Sequence, residues 1–324
     1  SGWTKNGDKF QEWNLNSLNI SLVNDIGKAN ILIIPYSINY YFKNKMMVEI
    51  FYYNMLCEKY NLKGFGFISG DSGIKYQEYA KIKYFRMGGY KSQLSILNKG
   101  FPVPLSDQLE LIFNRRKIFI RQKKRKSTIG FCGQASDSSI LYTYQYLKVL
   151  KENITRFIND PKRTDYESYF MSSFERFSIL QNFRKSNKLI TNFIFRKKYR
   201  AGAITKKDKR DTTIEYYNNL IDSDYIICIR GTGNFSVRLF ETLMMGRIPI
   251  FFDTDCLLPL LKNIDWKNHV IWISWENQKN AAQIVKEFHE NISDKEFKSF
   301  QQRNRKLWKD KLQPQWILNN LLGM

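Results

Sequence analysis

Within twelve positions the chain carries Arg230, Gly231, Gly233, Asn234, Ser236, Arg238 and Glu241. Guanidinium groups meet phosphate oxygens through paired hydrogen bonds, and glycines let backbone amides approach a ligand closely. Glu241 follows Arg238 by three residues, so on a helix both lie on one face, where a carboxylate can accept two ribose hydroxyls. The chemistry on offer is the holding of a nucleoside diphosphate. The same two residues also read as a plain helical ion pair, worth roughly 0.2–0.5 kcal/mol. Gly231-Thr232-Gly233-Asn234-Phe235-Ser236 departs from the Gly-x-Gly-x-x-Gly dinucleotide fingerprint, and no Gly-Lys-Ser/Thr follows to make a P-loop.

These residues need a strand, a loop and a helix to place them. Tyr225 to Ile229 is an apolar, β-branched run of buried-strand length. Ser236 suits an N-cap, and Val237, Phe240, Leu243 and Met244 then recur at helical spacing until Gly246. Ile248 to Phe252 resumes as strand. Anions bind where a strand of an open α/β sheet hands over to a helix N-terminus, because free N–H groups and the helix dipole point there. Leu189 to Phe195 predicts a further strand whose end carries Arg196 and Arg200, two more cations for the same ligand.

Earlier in the chain, Ala29 to Tyr36, Gly64 to Ser69 and Lys81 to Arg86 predict strands, with a helix over Lys43 to Tyr60. Ser127 to Gly133 opens a second series, with helices over Ile140 to Phe157, Tyr166 to Phe183 and Thr212 to Leu220. After Ile248 to Phe252 come a short helix from Asp255, a strand over Val270 to Ile273, and helices over Asn277 to Asn291 and Asp294 to Leu322. Strands alternating with helices predict an α/β fold with parallel sheets. The composition turns to charge near residue 125, which divides the chain into an N-terminal unit, 1–125, and a C-terminal unit, 126–324, whose last helix returns towards the first.

Lys plus Arg number 52 against 30 Asp plus Glu, a formal charge of +22. Such a surface favours anionic partners. A sequence-specific nucleic-acid reader is not indicated, for there is no zinc-finger spacing, basic heptad region or aromatic RNP-like strand. Four scattered cysteines lack metal-ligand spacing and read as buried thiols, and the two histidines form no catalytic pattern. No apolar run reaches the ~18 residues of a membrane span.

The run from Cys228 to Leu243, with Gly246-Arg247-Ile248-Pro249, Asp253 to Pro259, Ile264-Asp265-Trp266 and the stretch from Phe300-Gln301 to Trp308, resembles the donor site of exostosin-family glycosyltransferases, in particular their short bacterial or viral-type members. The likeness is dense over residues 190–310 and faint before 125. It implies a GT-B fold, two Rossmann-like domains facing each other across a cleft, and an inverting transfer from a UDP-sugar to a glycan acceptor. On that reading Arg230 and Arg238 neutralise the leaving diphosphate, Ser236 donates to a phosphate and Glu241 holds the ribose, with no essential metal or other cofactor. An inverting displacement needs a general base near the acceptor hydroxyl. Asp71, in the turn Gly70-Asp71-Ser72-Gly73, is the first candidate and Asp253 the second; Asp71 reads equally as a turn-forming residue.

The positive surface suits an acidic or lipid-linked acceptor and a cytoplasmic place, or a peripheral one at a membrane. Had an anchor preceded Ser1, a Golgi-type lumenal place would follow. The alternative is a non-catalytic protein that binds an acidic glycan or nucleic acid through charge alone.

Overall fold

The computed structural model describes residues 18–323. Two parallel sheets organise them. The first takes its strands in sequence order: β1 (Ile31–Ile33), β2 (Lys63–Ile68), β3 (Ile82–Arg86) and β4 (Asn98–Gly100). Helices α1 (Ile38–Lys43) and α2 (Met47–Lys59) connect β1 to β2, and α3 (Gln108–Phe113) follows the sheet.

The second sheet runs β6-β5-β7-β8-β9, with β5 at Thr128–Gln134, β6 at Ile190–Arg196, β7 at Tyr225–Cys228, β8 at Ile248–Asp253 and β9 at Ile271–Ser274. Its helices are α4 (Ser139–Asn159), α5 (Ser172–Lys185), α6 (Lys206–Ile221), α7 (Val237–Met244), α8 (Ala281–Asn291), α9 (Asp294–Lys311) and α10 (Pro314–Asn319). Mixed α/β architecture with parallel sheets of four and five strands corresponds to a two-domain, Rossmann-like arrangement.

Alternation along the strands explains the layering. Tyr225 and Ile227 of β7 join Ile250 and Phe252 of β8 in a core closed by Leu180 and Phe183 of α5, Val285 of α8 and Phe297 of α9. The intervening Ile226, Cys228 and Phe251 face the other way, into a core with Leu220 of α6, Leu239 and Leu243 of α7 and Trp308 of α9. Successive strand residues point to opposite faces, so a strand apolar at every position has helices on both sides. All four cysteines are free and buried, as their apolar settings predict.

Several expected elements differ. Asp255 begins no helix: it has φ +64°, and Cys256 instead bridges to Tyr90. The final helix is broken, since Pro314, lacking an N–H, starts a new one. Tyr166 to Met171 is irregular rather than helical, and β4 carries no apolar alternation from which to read it.

The two units touch closely. Ile317 and Leu321 at the chain end pack with Phe65 and Phe85 of the first sheet. Conversely, Val103 and Leu109 pack into the second unit's core although they precede residue 125, and Asp107 pairs with Arg305 of α9.

Candidate active site

Strand order reverses around β5, which has β6 on one side and β7 on the other. Ligands of open α/β sheets bind at the carboxyl ends flanking such a reversal. The loop Ile229–Ser236 leaves β7 there. Arg230 is 3% exposed. Its Nη1 donates to the Tyr90 hydroxyl at 2.7 Å and its Nη2 to the Thr232 carbonyl at 2.8 Å. The guanidinium lies over the rings of Phe170 and Tyr90, 4.7 and 5.3 Å from their centroids.

Arg238, half-buried on the first turn of α7, donates to the Cys132 carbonyl at 2.9 Å and stacks 4.3 Å from the Phe131 ring. A third arginine joins them. Arg176 of α5 donates to the Arg230 carbonyl at 2.9 Å and, at 3.4 Å, to that of Gln134. The Nε atoms of Arg176, Arg230 and Arg238 are all buried without a hydrogen-bond partner. Among the described residues none of the three is in an ion pair. Burial, then the like charges of Arg238 and Arg230, push the Arg176 guanidinium down to about 9. Guanidinium groups gathered without an ion pair carry a cost that a bound anion offsets.

The remaining expected residues fall into several groups. Gly231 stands beside Arg176, whose Nη2 would lie 3.5 Å from an added Cβ. Gly233 is required for contact between the units, since a Cβ there would come within 2.6 Å of the Asp71 carbonyl oxygen. Asn234 is 2% exposed and acts as a staple: its Nδ2 donates to the carbonyls of Gly89, Thr254 and Asp255 at 3.2, 2.9 and 3.0 Å. Ser236 occupies the N-cap position of α7, yet its side chain makes no capping bond. Glu241 accepts from the hydroxyls of Tyr216 and Tyr217 of α6.

Arg196 is turned elsewhere, held by Glu215 at 2.6 Å and the Thr212 carbonyl at 2.7 Å on α6. Arg200 belongs to the 3-10 turn Tyr199–Gly202, and its side chain lies outside the described residues.

The two candidate bases differ. Asp253 Oδ1 accepts from the amides of Asp255 and Cys256 at 2.9 and 3.3 Å, which holds the turn after β8. Asp71 is exposed as a residue, while its backbone is pinched between Gly88 and Gly233; partial desolvation raises its carboxyl above the usual range. This puts Asp71, from the first unit, against the arginine loop of the second. Asp255 adds a tie across the seam by accepting from the amide of Ser92 at 3.1 Å and its hydroxyl at 2.6 Å.

Sequence reasoning missed Arg176, Tyr90 and Phe170. Arg176 follows Glu175 in the opening of a helix, where charged residues are ordinary solvent-facing features. Tyr90 comes from the other unit. Only the tertiary fold gathers them at Arg230.

No family model matches the chain, and no curated protein matches it. A solved structure titled "Crystal Structure of TarM" is similar with a TM-score of 0.31 and 13% identity, over 81% of this chain and 50% of that one. The chain thus spans about half the length of that structure, and a likeness at this level carries no functional argument.

Proposed function

We propose that this protein is an inverting glycosyltransferase of the GT-B kind, related to the exostosin family, which transfers a sugar from a UDP-sugar to a glycan acceptor. The observation that carries the reading is the cluster of Arg176, Arg230 and Arg238 at the strand-order reversal, without a carboxylate in an ion pair with any of them. A departing UDP supplies the missing charge: the arginines stabilise the diphosphate as it leaves, an electrostatic contribution made before the reaction begins. In this role Gly231 makes room for the diphosphate, Ser236 donates to a phosphate, and Glu241, kept in place by Tyr216 and Tyr217, accepts the ribose hydroxyls.

Asp71 is the base in this proposal. Its raised pKa brings a carboxylate nearer to the pH at which proton abstraction is efficient, and it belongs to the unit opposite the donor loop. Asp253 is committed to its turn and serves as a support. The contacts of Tyr90 with Arg230, Gly89 with Asn234 and Ser92 with Asp255 belong to a closed seam, which opens to admit substrates.

Incubation with a panel of UDP-, GDP- and CMP-sugars, scored for released nucleotide, tests the donor class. UDP release from at least one UDP-sugar is expected. Release confined to GDP- or CMP-sugars would overturn the donor, and no release from any donor, with or without added glycan, would overturn the transferase.

A further inference from the structure

Helix α4 is 21 residues long, yet Arg156 is its only buried residue. Gln145, Asn153 and Arg156 fasten one face to the protein: Gln145 to Ser173 Oγ at 2.9 Å, Asn153 to the Glu167 carbonyl at 2.9 Å and Arg156 to the Glu167 carboxylate at 2.7 Å. Ile140, Tyr144, Leu147, Ile154 and Ile158 recur at helical spacing on the opposite side and are all exposed, Ile140 by 84% and Ile158 by 71%. Lys148 and Lys151 stand beside them. The one carboxylate on the helix, Glu152, is bonded to Arg156 on the fastened side.

A second helix repeats the pattern. Val48, Phe51, Tyr52 and Met55 form an exposed stripe on α2, opposite its buried Ile50, Asn54 and Cys57. Exposed Lys43 and Lys45 precede it. The Glu167 that holds α4 also accepts from the Gly73 amide at 2.9 Å, and Tyr76, three residues after Gly73, packs at 5.3 Å on Phe42 of α1, the helix before α2.

We propose that these two faces, α4 above all, dock the protein on an anionic lipid surface. Charge selects this occupant. A second copy of the chain would bring +22 against +22 and, across a two-fold contact through α4, Lys148 and Lys151 against themselves. An anionic bilayer attracts the same lysines, each worth about 1 kcal/mol near the surface, while isoleucine, leucine and tyrosine side chains enter the boundary between headgroups and acyl chains. Docking is peripheral, for among the described residues no helix is long and apolar enough to cross a membrane. The inference rests on exposure and charge and is independent of the proposed reaction.

The test is co-sedimentation of the full chain with phosphatidylcholine vesicles, with and without phosphatidylserine. Binding is expected only when phosphatidylserine is present, and it weakens as salt is added. Leu147→Glu combined with Ile154→Glu alters solvent-facing side chains, keeps the melting temperature, and lowers vesicle affinity about tenfold or more, about 1.4 kcal/mol. Lys207→Glu on α6 changes the net charge by the same amount and is expected to bind within about twofold of the parent, below 0.5 kcal/mol. Absence of binding to phosphatidylserine vesicles overturns the proposal. So does an equal loss in both variants, which would assign binding to overall charge, or a dimer in solution that the α4 double variant dissolves.

Discussion

Both ends of the second sheet bury arginine, and they treat it differently. Where β5 and β7 begin, Arg247 is fully buried and donates to Gln301 Oε1 at 2.9 Å and to the carbonyls of Phe119 and Ile221 at 2.6 and 3.1 Å. Nearby Arg121 pairs with Asp224, whose second oxygen accepts from the Thr128 amide at 2.8 Å. Burial pushes Arg247 down to about 9, and among the described residues it too lacks an ion pair and a partner for its Nε, but the carboxylates of Asp224 and Asp222 act on it from nearby. At the opposite end Arg176, Arg230 and Arg238 have aromatic faces and backbone carbonyls with no carboxylate in an ion pair. The first set completes the fold, whereas the second, on the proposed function, receives the diphosphate. Neither burial nor the lack of an ion pair separates the two ends; what differs is that Asp224 and Asp222 act on Arg247, whereas the charges acting on Arg176 are those of Arg238 and Arg230.

The largest effect expected is on turnover. Asp71→Asn should cut the transfer rate by about two to four orders of magnitude while stabilisation by UDP persists; rates near the parent's would remove Asp71 as base. At the other end, Arg247→Ala takes the donor from the Phe119 and Ile221 carbonyls and leaves Gln301 Oε1 with the Arg121 amide alone. It should lower unfolding free energy by about 3 kcal/mol or more, while UDP still stabilises whatever folds. Should it instead cost nothing in chemical denaturation, the amino end would not be the structural half of the pair. The smallest effect concerns pH. The raised Asp71 pKa means the folded state holds a proton more tightly than the unfolded chain. Stability therefore falls as pH rises from the ordinary carboxylate range through the folded value. Over the same window activity rises, because the base must be ionised. Asp71→Asn should remove both dependences, and denaturation midpoints with unchanged pH slopes would contradict the assignment.

Much of this was legible in the sequence because local pattern and tertiary setting agree. The β7–α7–β8 stretch is apolar at every strand position and helical in period thereafter, so its elements fall within a residue or two of expectation. Asn234 is expected at the donor site, and its side-chain amide carries a second task that spacing does not show, donating to three carbonyls, including one from the other unit. Arg196 looked equivalent to Arg230, since each follows an apolar strand run. What separates them is Glu215, 19 residues on, which one turn of α6 brings against Arg196. Arg176 had no local mark at all. Charge compensation is a pairwise property of the fold, and sequence spacing does not display it.

The central claim is that the arginine cluster is completed by a nucleoside diphosphate. Its most direct test is the melting temperature with and without UDP, measured for the parent and for Arg230→Ala and Arg176→Ala. UDP should raise the parent's midpoint, as any ligand that binds only the folded state does, and both substitutions should abolish or sharply reduce that rise. An unchanged parent midpoint at millimolar UDP, or a full rise in both variants, would contradict the account.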